Sequence, residues 1–393
     1  MRNLELKCIE LIKKYFSFLL IAVSVYAGIS IRKQGMDFIS ADYTTYLQLW
    51  YENLKVNAGF KGLALDFYTY YIPYMCILAI ATYIEEINLL LYIKIISIVS
   101  EFVCALLSGM IGYHLLKKED KGNISVVIAA LLLSPSIMLN GAYWGQCDYI
   151  YIAFILGSIL LMLYERSAMS FVLLGIAFCF KLQTVFILPA YALYYICKRK
   201  FSFLNFLIIP VCYLIGGIPA ILAGRPAKEV YGIYFGQTNL FDQLSMNTPN
   251  IWRLFPNHYY EDFYKWGIWL TATIFLVLAY FVLKNNYILN KQTFLMVCLC
   301  SSGICVMFLP GMHERYTALF VLLAYLYFII YDRRRILIPI ALDLITCMTY
   351  CLYLYGLDFR SSYPLFAVIN LGCLGYIIRI TLGKLQETRE SIE

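Results

Sequence analysis

Three short strings in this chain carry side chains able to hold and activate a substrate. The first, Asn140-Gly141-Ala142-Tyr143-Trp144-Gly145-Gln146-Cys147-Asp148, brings two amides, an indole and a carboxylate together between two apolar runs. Polar groups are costly at a bilayer boundary, and a lipid-facing loop has no use for them. Capping a span that begins near Tyr149 explains Asp148, but not Gln146 beside Trp144 and Gly145, so the string reads as part of a site. The second string is Ser40-Ala41-Asp42-Tyr43, in which Asp42 can take a proton from a hydroxyl nucleophile. Asp42 also suits a helix N-cap ahead of Tyr46 and Leu47, and both readings stand. The third, Pro310-Gly311-Met312-His313-Glu314-Arg315, sets an imidazole, a carboxylate and a guanidinium at the start of an apolar run. Free backbone N–H groups and a forked guanidinium there suit an anion, and an interface anchor is the plainer use.

Other polar residues have two readings each. Lys181 interrupts the apolar run 175–190 and either snorkels to the interface or meets a phosphate. Glu101 lies inside an apolar run, where a carboxylate is a functional hypothesis by default; a structural pair with Lys94, two turns away, is the alternative. The segment 224–263 carries Gln237, Asp242, Ser245, Asn247, Asn250 and Trp252, which either make turns or face a substrate. Tyr68-Thr69-Tyr70-Tyr71-Ile72-Pro73-Tyr74 is an interfacial aromatic belt or a surface for a sugar or lipid. Asp37 reads as a solvated loop charge. The three histidines, His114, His258 and His313, are far apart and no CxxC occurs, so no metal site is expected. Cysteines such as Cys104, Cys298 and Cys305 lie in apolar runs and act as small hydrophobes.

The elements that position these groups are membrane helices. Hydrophobic residues make up 62% of the chain and charged residues 14%, against about 25% charged in soluble domains. The polar stretches are too short for a separate soluble domain, so 1–393 reads as a single integral membrane domain. The net charge of +7 sits in clusters flanking apolar runs, which marks topology and excludes a nucleic-acid partner. The first apolar run, Tyr15–Ile31, lacks a small-residue cleavage site and is taken as the first span.

Spans are expected near 13–31, 89–116, 123–139, 149–164, 168–182, 184–198, 203–223, 264–283, 292–309, 315–331, 336–356 and 363–381. Whether Tyr70–Tyr83 crosses is decided by charge. If it does not, Lys7/Lys13/Lys14, Lys117/Lys118/Lys121, Lys198/Arg199/Lys200, Lys284/Lys291, Arg333/Arg334/Arg335 and Lys384/Arg389 share one side, which is then cytoplasmic. This gives about twelve spans with both termini inside and an interfacial helix over 70–83. The opposite, outer face then collects the first loop (32–88), the Trp144–Asp148 string, the loop 224–263, Pro310–Arg315 and Asp358/Arg360. Carboxylates and cations gathered on one membrane face form the pattern of a surface active site.

The order Asp42…Trp50, Tyr70…Pro73-Tyr74, Asn140…Trp144-Gly145-Gln146-x-Asp148, Lys181-x-Gln183, Leu244-Ser245-x-Asn247-x-x-Asn250-x-Trp252 and Met312-His313-Glu314-Arg315-Tyr316 resembles a bacterial family. That family is similar to the eukaryotic transferase that adds the second mannose of GPI anchors, within the GT-C class of integral membrane glycosyltransferases. The resemblance covers residues 36–316 and is most specific in the WGQxD and MHERY strings. It departs at Lys181-Leu182-Gln183, where relatives often carry Lys-Pro-Gln.

The resemblance implies a GT-C-like, all-α polytopic fold with interfacial helices in the first outer loop (36–88), a motif-bearing membrane region (89–316) and C-terminal spans (317–393). It implies an inverting transfer of a hexose, with mannose the family's default, from a polyprenyl-phosphate donor to a glycolipid or cell-surface glycan. The reaction would take place on the extracytoplasmic face of a bacterial plasma membrane, with no metal and no cofactor. Asp42 would be the base. Arg315, His313 and Lys181 would meet the donor phosphate, and Trp144, Gln146, Asp148, Asn247, Asn250, Glu314 and Tyr70 the substrates. A polysaccharide polymerase or ligase is a second enzyme reading, and a lipid-linked sugar transporter the non-enzyme one. A transporter predicts polar groups through the midplane and an inverted repeat; no convincing repeat is seen, and most polar residues sit at one face, with Glu101 and Asp343 as exceptions.

Overall fold

Apolar runs punctuated by Gly, Pro and Asn fold into helices, and the chain is 82% helical with almost no strand. The computed structural model describes residues 2–117, 122–237 and 242–390. Lys118 and Lys121, counted above among the topology charges, lie outside the described residues.

In chain order the first eight helices are α1 (Arg2–Gln34), α2 (Gln48–Val56), α3 (Ile72–Ala81), α4 (Leu89–Leu115), α5 (Asn123–Leu133), α6 (Pro135–Met138), α7 (Asp148–Leu163) and α8 (Ser167–Phe180). The remainder are α9 (Leu188–Lys198), α10 (Ile208–Ala223), α11 (Ala227–Gln237), α12 (Tyr260–Lys284), α13 (Lys291–Phe308), α14 (Ala318–Tyr331), α15 (Leu337–Tyr355) and α16 (Tyr363–Glu390). Two π-helical turns, Tyr43–Leu47 and Leu139–Trp144, interrupt them.

Among the described residues, eight helical segments are long and apolar enough to cross a membrane. A ninth is counted if α5 and Pro135–Trp144, bent 47° apart, form one broken span. Pro135 causes the break: it drives Ser134 into an extended conformation, and the Ser134 hydroxyl caps α6 through Ile137 N–H at 3.4 Å. The protein is thus an all-α polytopic membrane protein. The other expected spans fall on shorter pieces: α7 with 16 residues, α8 with 14, and over 184–198 a 3₁₀ segment, Leu182–Ile187, followed by the 11 residues of α9. Sixteen residues rise about 24 Å, less than a hydrocarbon core of about 30 Å. Protein surrounds α7 on nearly every side, so its length is not set by lipid. The core lies around α7, α13 and α14.

The helices share a polarity that brings the motifs to one end of the bundle. Lys94, in the second turn of α4, donates to the carbonyls of Gly35 (2.6 Å) and Phe38 (2.5 Å), so α4 starts where α1 stops. The segment between them therefore returns to its own end and does not cross. At the other end Lys291 reaches His114 at 2.8 Å, and Lys200 pairs with Glu165 at 3.1 Å. The helix foreseen over 70–83 is α3, with Ile72, Met75, Leu78 and Ala81 fully buried against protein while Ile80 stays exposed. It packs on α2, α8 and α10.

Candidate active site

The site is built where π-helical turns replace regular helix. One follows Asp42 directly and the other ends at Trp144, and such turns widen the helix and re-aim its side chains. Gly145, in the left-handed region at φ 75°, then reverses the backbone so that Trp144 and Gln146 point the same way. The Ser40 hydroxyl fastens the two segments by donating to the Trp144 carbonyl at 2.8 Å.

Asp42 is the convergence point. Its Oδ2 accepts from Gln146 Nε2 at 2.6 Å, Trp144 Nε1 at 3.0 Å and Arg315 Nη1 at 3.0 Å. No described residue donates to Oδ1, and the side chain is 26% exposed. The N-cap alternative fails, because Asp42 makes no side-chain capping bond and the amide of Tyr43 is met by Ser40 Oγ at 3.3 Å. A carboxylate with one oxygen held and the other open is arranged to accept a proton at a fixed position.

Arg315 stands on the Trp144 indole, 5.1 Å from the ring centroid, and approaches Glu314 at 3.8 Å. It begins the segment that continues into α14 and is 11% exposed. Its Nε has no hydrogen-bond partner, nor has Oε2 of the buried Glu314. Trp144 packs edge-on against Tyr350 and at a tilt against Tyr353. The Tyr70 hydroxyl donates to Gln146 Oε1 over a long 3.5 Å. Burial raises the Tyr70 phenol well above its ordinary range, so it stays protonated and remains a donor.

A second cluster lies beneath. Asp148 is fully buried and accepts from Asn140 Nδ2 at 2.9 Å and from Lys181 Nζ. The Lys181 ammonium sits 5.8 Å from the rings of both Tyr70 and Tyr316. Lys181 therefore does not snorkel to the interface; its ammonium pairs with Asp148 inside the buried cluster. His313 lies on the short strand β2 (Met312–His313), parallel to β1 (Ser245–Met246), with its ring edge-on to Tyr316. Burial, together with repulsion from Arg315 and Lys181, holds the His313 imidazole down at about 3, so it is neutral at physiological pH.

The loop amides have structural work. Asn250 is fully buried; it caps Trp252 N–H at 3.1 Å and donates to the Val306 carbonyl at 3.2 Å. This corrects its assignment as a substrate ligand: both ends of the amide brace the loop. Asn247, at φ 64°, accepts from Arg253 Nη2 at 2.9 Å and donates to the Tyr353 hydroxyl at 2.7 Å. Another correction concerns Glu101. Its partner is Arg32 at 2.6 Å and not Lys94, and this sealed pair lies under Gly141, where a Cβ would strike Glu101 Oε1.

Ser40, Arg253 and Tyr353 were missed. Arg253 had a signal in the sequence, a cation directly after Trp252 in the amide-rich loop, whereas Tyr353 lies in an apolar run and Ser40 gave only a capping pattern. The described residues contain no cluster of His, Cys, Asp and Glu able to hold a metal. Two clefts, neither lined by Asp42, open around Arg225 and around Arg253. No protein-family model matches the chain, and no curated protein matches it.

Proposed function

We propose that the protein is a GT-C-like membrane glycosyltransferase that moves a hexose, with mannose the first candidate, from a polyprenyl-phosphate donor to a glycan or glycolipid acceptor. Asp42 acts as the base. The observation that carries this reading is the Asp42 carboxylate, with Oδ2 held by Trp144, Gln146 and Arg315 and Oδ1 open. A base fixed in this way removes the acceptor proton as the hydroxyl attacks the anomeric carbon, and the lipid phosphate departs from the opposite face with inversion. Arg315 supplies donors for the charge developing on that phosphate. It turns from Asp42 to the phosphate as the donor binds, while Trp144 and Gln146 keep hold of Oδ2 and Oδ1 stays open for the acceptor proton.

The basic clusters at the far end of the bundle support an extracytoplasmic site under the positive-inside rule. About twelve passes and both termini on the cytoplasmic side belong to the same reading. The protein reconstituted in liposomes, supplied with polyprenyl-phosphate mannose, glucose or galactose and a glycolipid extract, should add one hexose to an acceptor, detected by mass spectrometry. Transfer of an oligosaccharide block would instead identify a polymerase or ligase, and donor flipping without transfer a transporter.

A further inference from the structure

One residue along the chain from Tyr70, a cleft of about 300 Å³ is lined by Asp66, Tyr68, Thr69, Arg225, Glu229 and Gly236. That volume is at the lower limit of ordinary ligand pockets, roughly 300–1,000 Å³. Arg225 forms its floor, with a side chain only 3% exposed. Gly224, at φ 113°, ends α10, and the Arg225 amide closes that end on the Ala220 carbonyl at 3.0 Å, which turns the guanidinium into the cleft. The guanidinium lies 4.8 Å from the Tyr68 ring centroid, and Nη2 donates to Asp66 Oδ1. Nε stands 3.6 Å from Glu229, too far for a hydrogen bond, and Nε and Nη1 both lack partners. Buried guanidinium donors without acceptors are costly, and an incoming oxygen relieves that cost.

The rim decides which oxygen. Asp66 and Glu229 are 76% and 50% exposed, so carboxylate oxygens face the opening beside one cation. Two carboxylates against one guanidinium leave a negative balance, which opposes phosphate and suits hydroxyl groups that donate to carboxylates and accept from Arg. Gly232 and Gly236, one turn apart on α11, leave the wall bare: a Cβ at either position would meet nothing within 4 Å. A sugar ring can therefore lie directly on the backbone. The cleft is tied to the reacting centre, since Gln237 donates to the Thr69 carbonyl at 2.5 Å and the next residue, Tyr70, reaches Gln146.

We infer that this cleft is a subsite for an uncharged, hydroxyl-rich glycan, the part of the acceptor that lies beyond the reacting hydroxyl. The inference rests on the glycosyltransferase reading for its place in the reaction, but not for the binding itself. Full-length protein in nanodiscs, titrated with mannotriose, maltotriose and cellotriose, should show saturation-transfer NMR signals for at least one trisaccharide. Gly236→Leu, whose Cβ meets nothing within 4 Å, places a branched side chain on the cleft wall and should weaken that binding at least tenfold, as should the paired change Asp66→Asn with Glu229→Gln. Asp42→Asn should leave it intact. No signal from any of the three sugars, an unchanged signal in Gly236→Leu, or displacement by orthophosphate overturns the inference. If Asp42→Asn still transfers sugar while Gly236→Leu abolishes binding, the base assignment falls and the cleft stands.

Discussion

Arg315 Nη1 lies 3.0 Å from Asp42 Oδ2, although 273 residues separate them in the chain. The contact joins the start of the helical segment that leads into α2 to the turn that leads into α14, and sets an always-protonated cation against the Asp42 carboxylate. Trp144 completes the arrangement by donating to Asp42 while its ring carries the guanidinium. Under the proposed function, the donor phosphate would take the place of Asp42 in this contact.

Asp42→Asn keeps the shape and the contact with Arg315 but removes the base. Sugar transfer should fall by about 10²- to 10⁴-fold, the usual contribution of general base catalysis, while donor affinity is retained. Radiolabelled transfer and donor binding measured on one preparation check this. Normal transfer would remove Asp42 from the mechanism.

Arg315→Ala should weaken binding of the polyprenyl-phosphate donor roughly ten- to a hundredfold, as expected for the loss of a charged hydrogen bond worth about 1.5–3 kcal/mol. Arg315→Lys keeps the charge but not the fork, and should recover only part of the loss. Donor titration by tryptophan fluorescence reads both variants, and unchanged affinity would sink the phosphate role.

Asp148 and Lys181 form a sealed pair, so removing either partner alone strands a buried charge. Lys181→Met or Asp148→Asn should each destabilise the protein by about 3–5 kcal/mol, and the double variant should recover most of that. Thermal unfolding in detergent tests the cycle. If the double variant is stable yet binds donor poorly, Lys181 has a phosphate role besides its structural one.

His313 gives a pH prediction. Its folded pKa of about 3 lies below the ordinary value of 6.5, so protonation favours the unfolded state. The stability of the neutral form is fully present above about pH 6.5 and is lost progressively as pH falls from there toward 3. His313→Gln cannot be protonated, so between pH 7 and pH 5 it should lose less stability than the wild type, by on the order of 1–2 kcal/mol. Unfolding midpoints at the two pH values measure the difference. An equal loss in both proteins would show that folding does not depress the His313 pKa.

Composition alone determined that this is a helical membrane protein, because 62% hydrophobic residues in long runs have no other stable form in lipid. The polar strings around Asp42, Trp144–Asp148 and His313–Arg315 were legible for the same reason: each is costly where it stands. What the sequence could not decide was pairing. Asp42 fitted a cap as well as a base until Trp144, Gln146 and Arg315 were seen on one of its oxygens. Glu101 lay on the same helix as Lys94, yet its partner is Arg32, 69 residues away on another helix. Asn250 read as a ligand and is a brace, and Arg225 gave no signal beyond its charge. Local pattern fixes which residues are expensive to bury. Only the packing of distant helices decides which of them relieve one another, and which oxygen or nitrogen is left for a substrate.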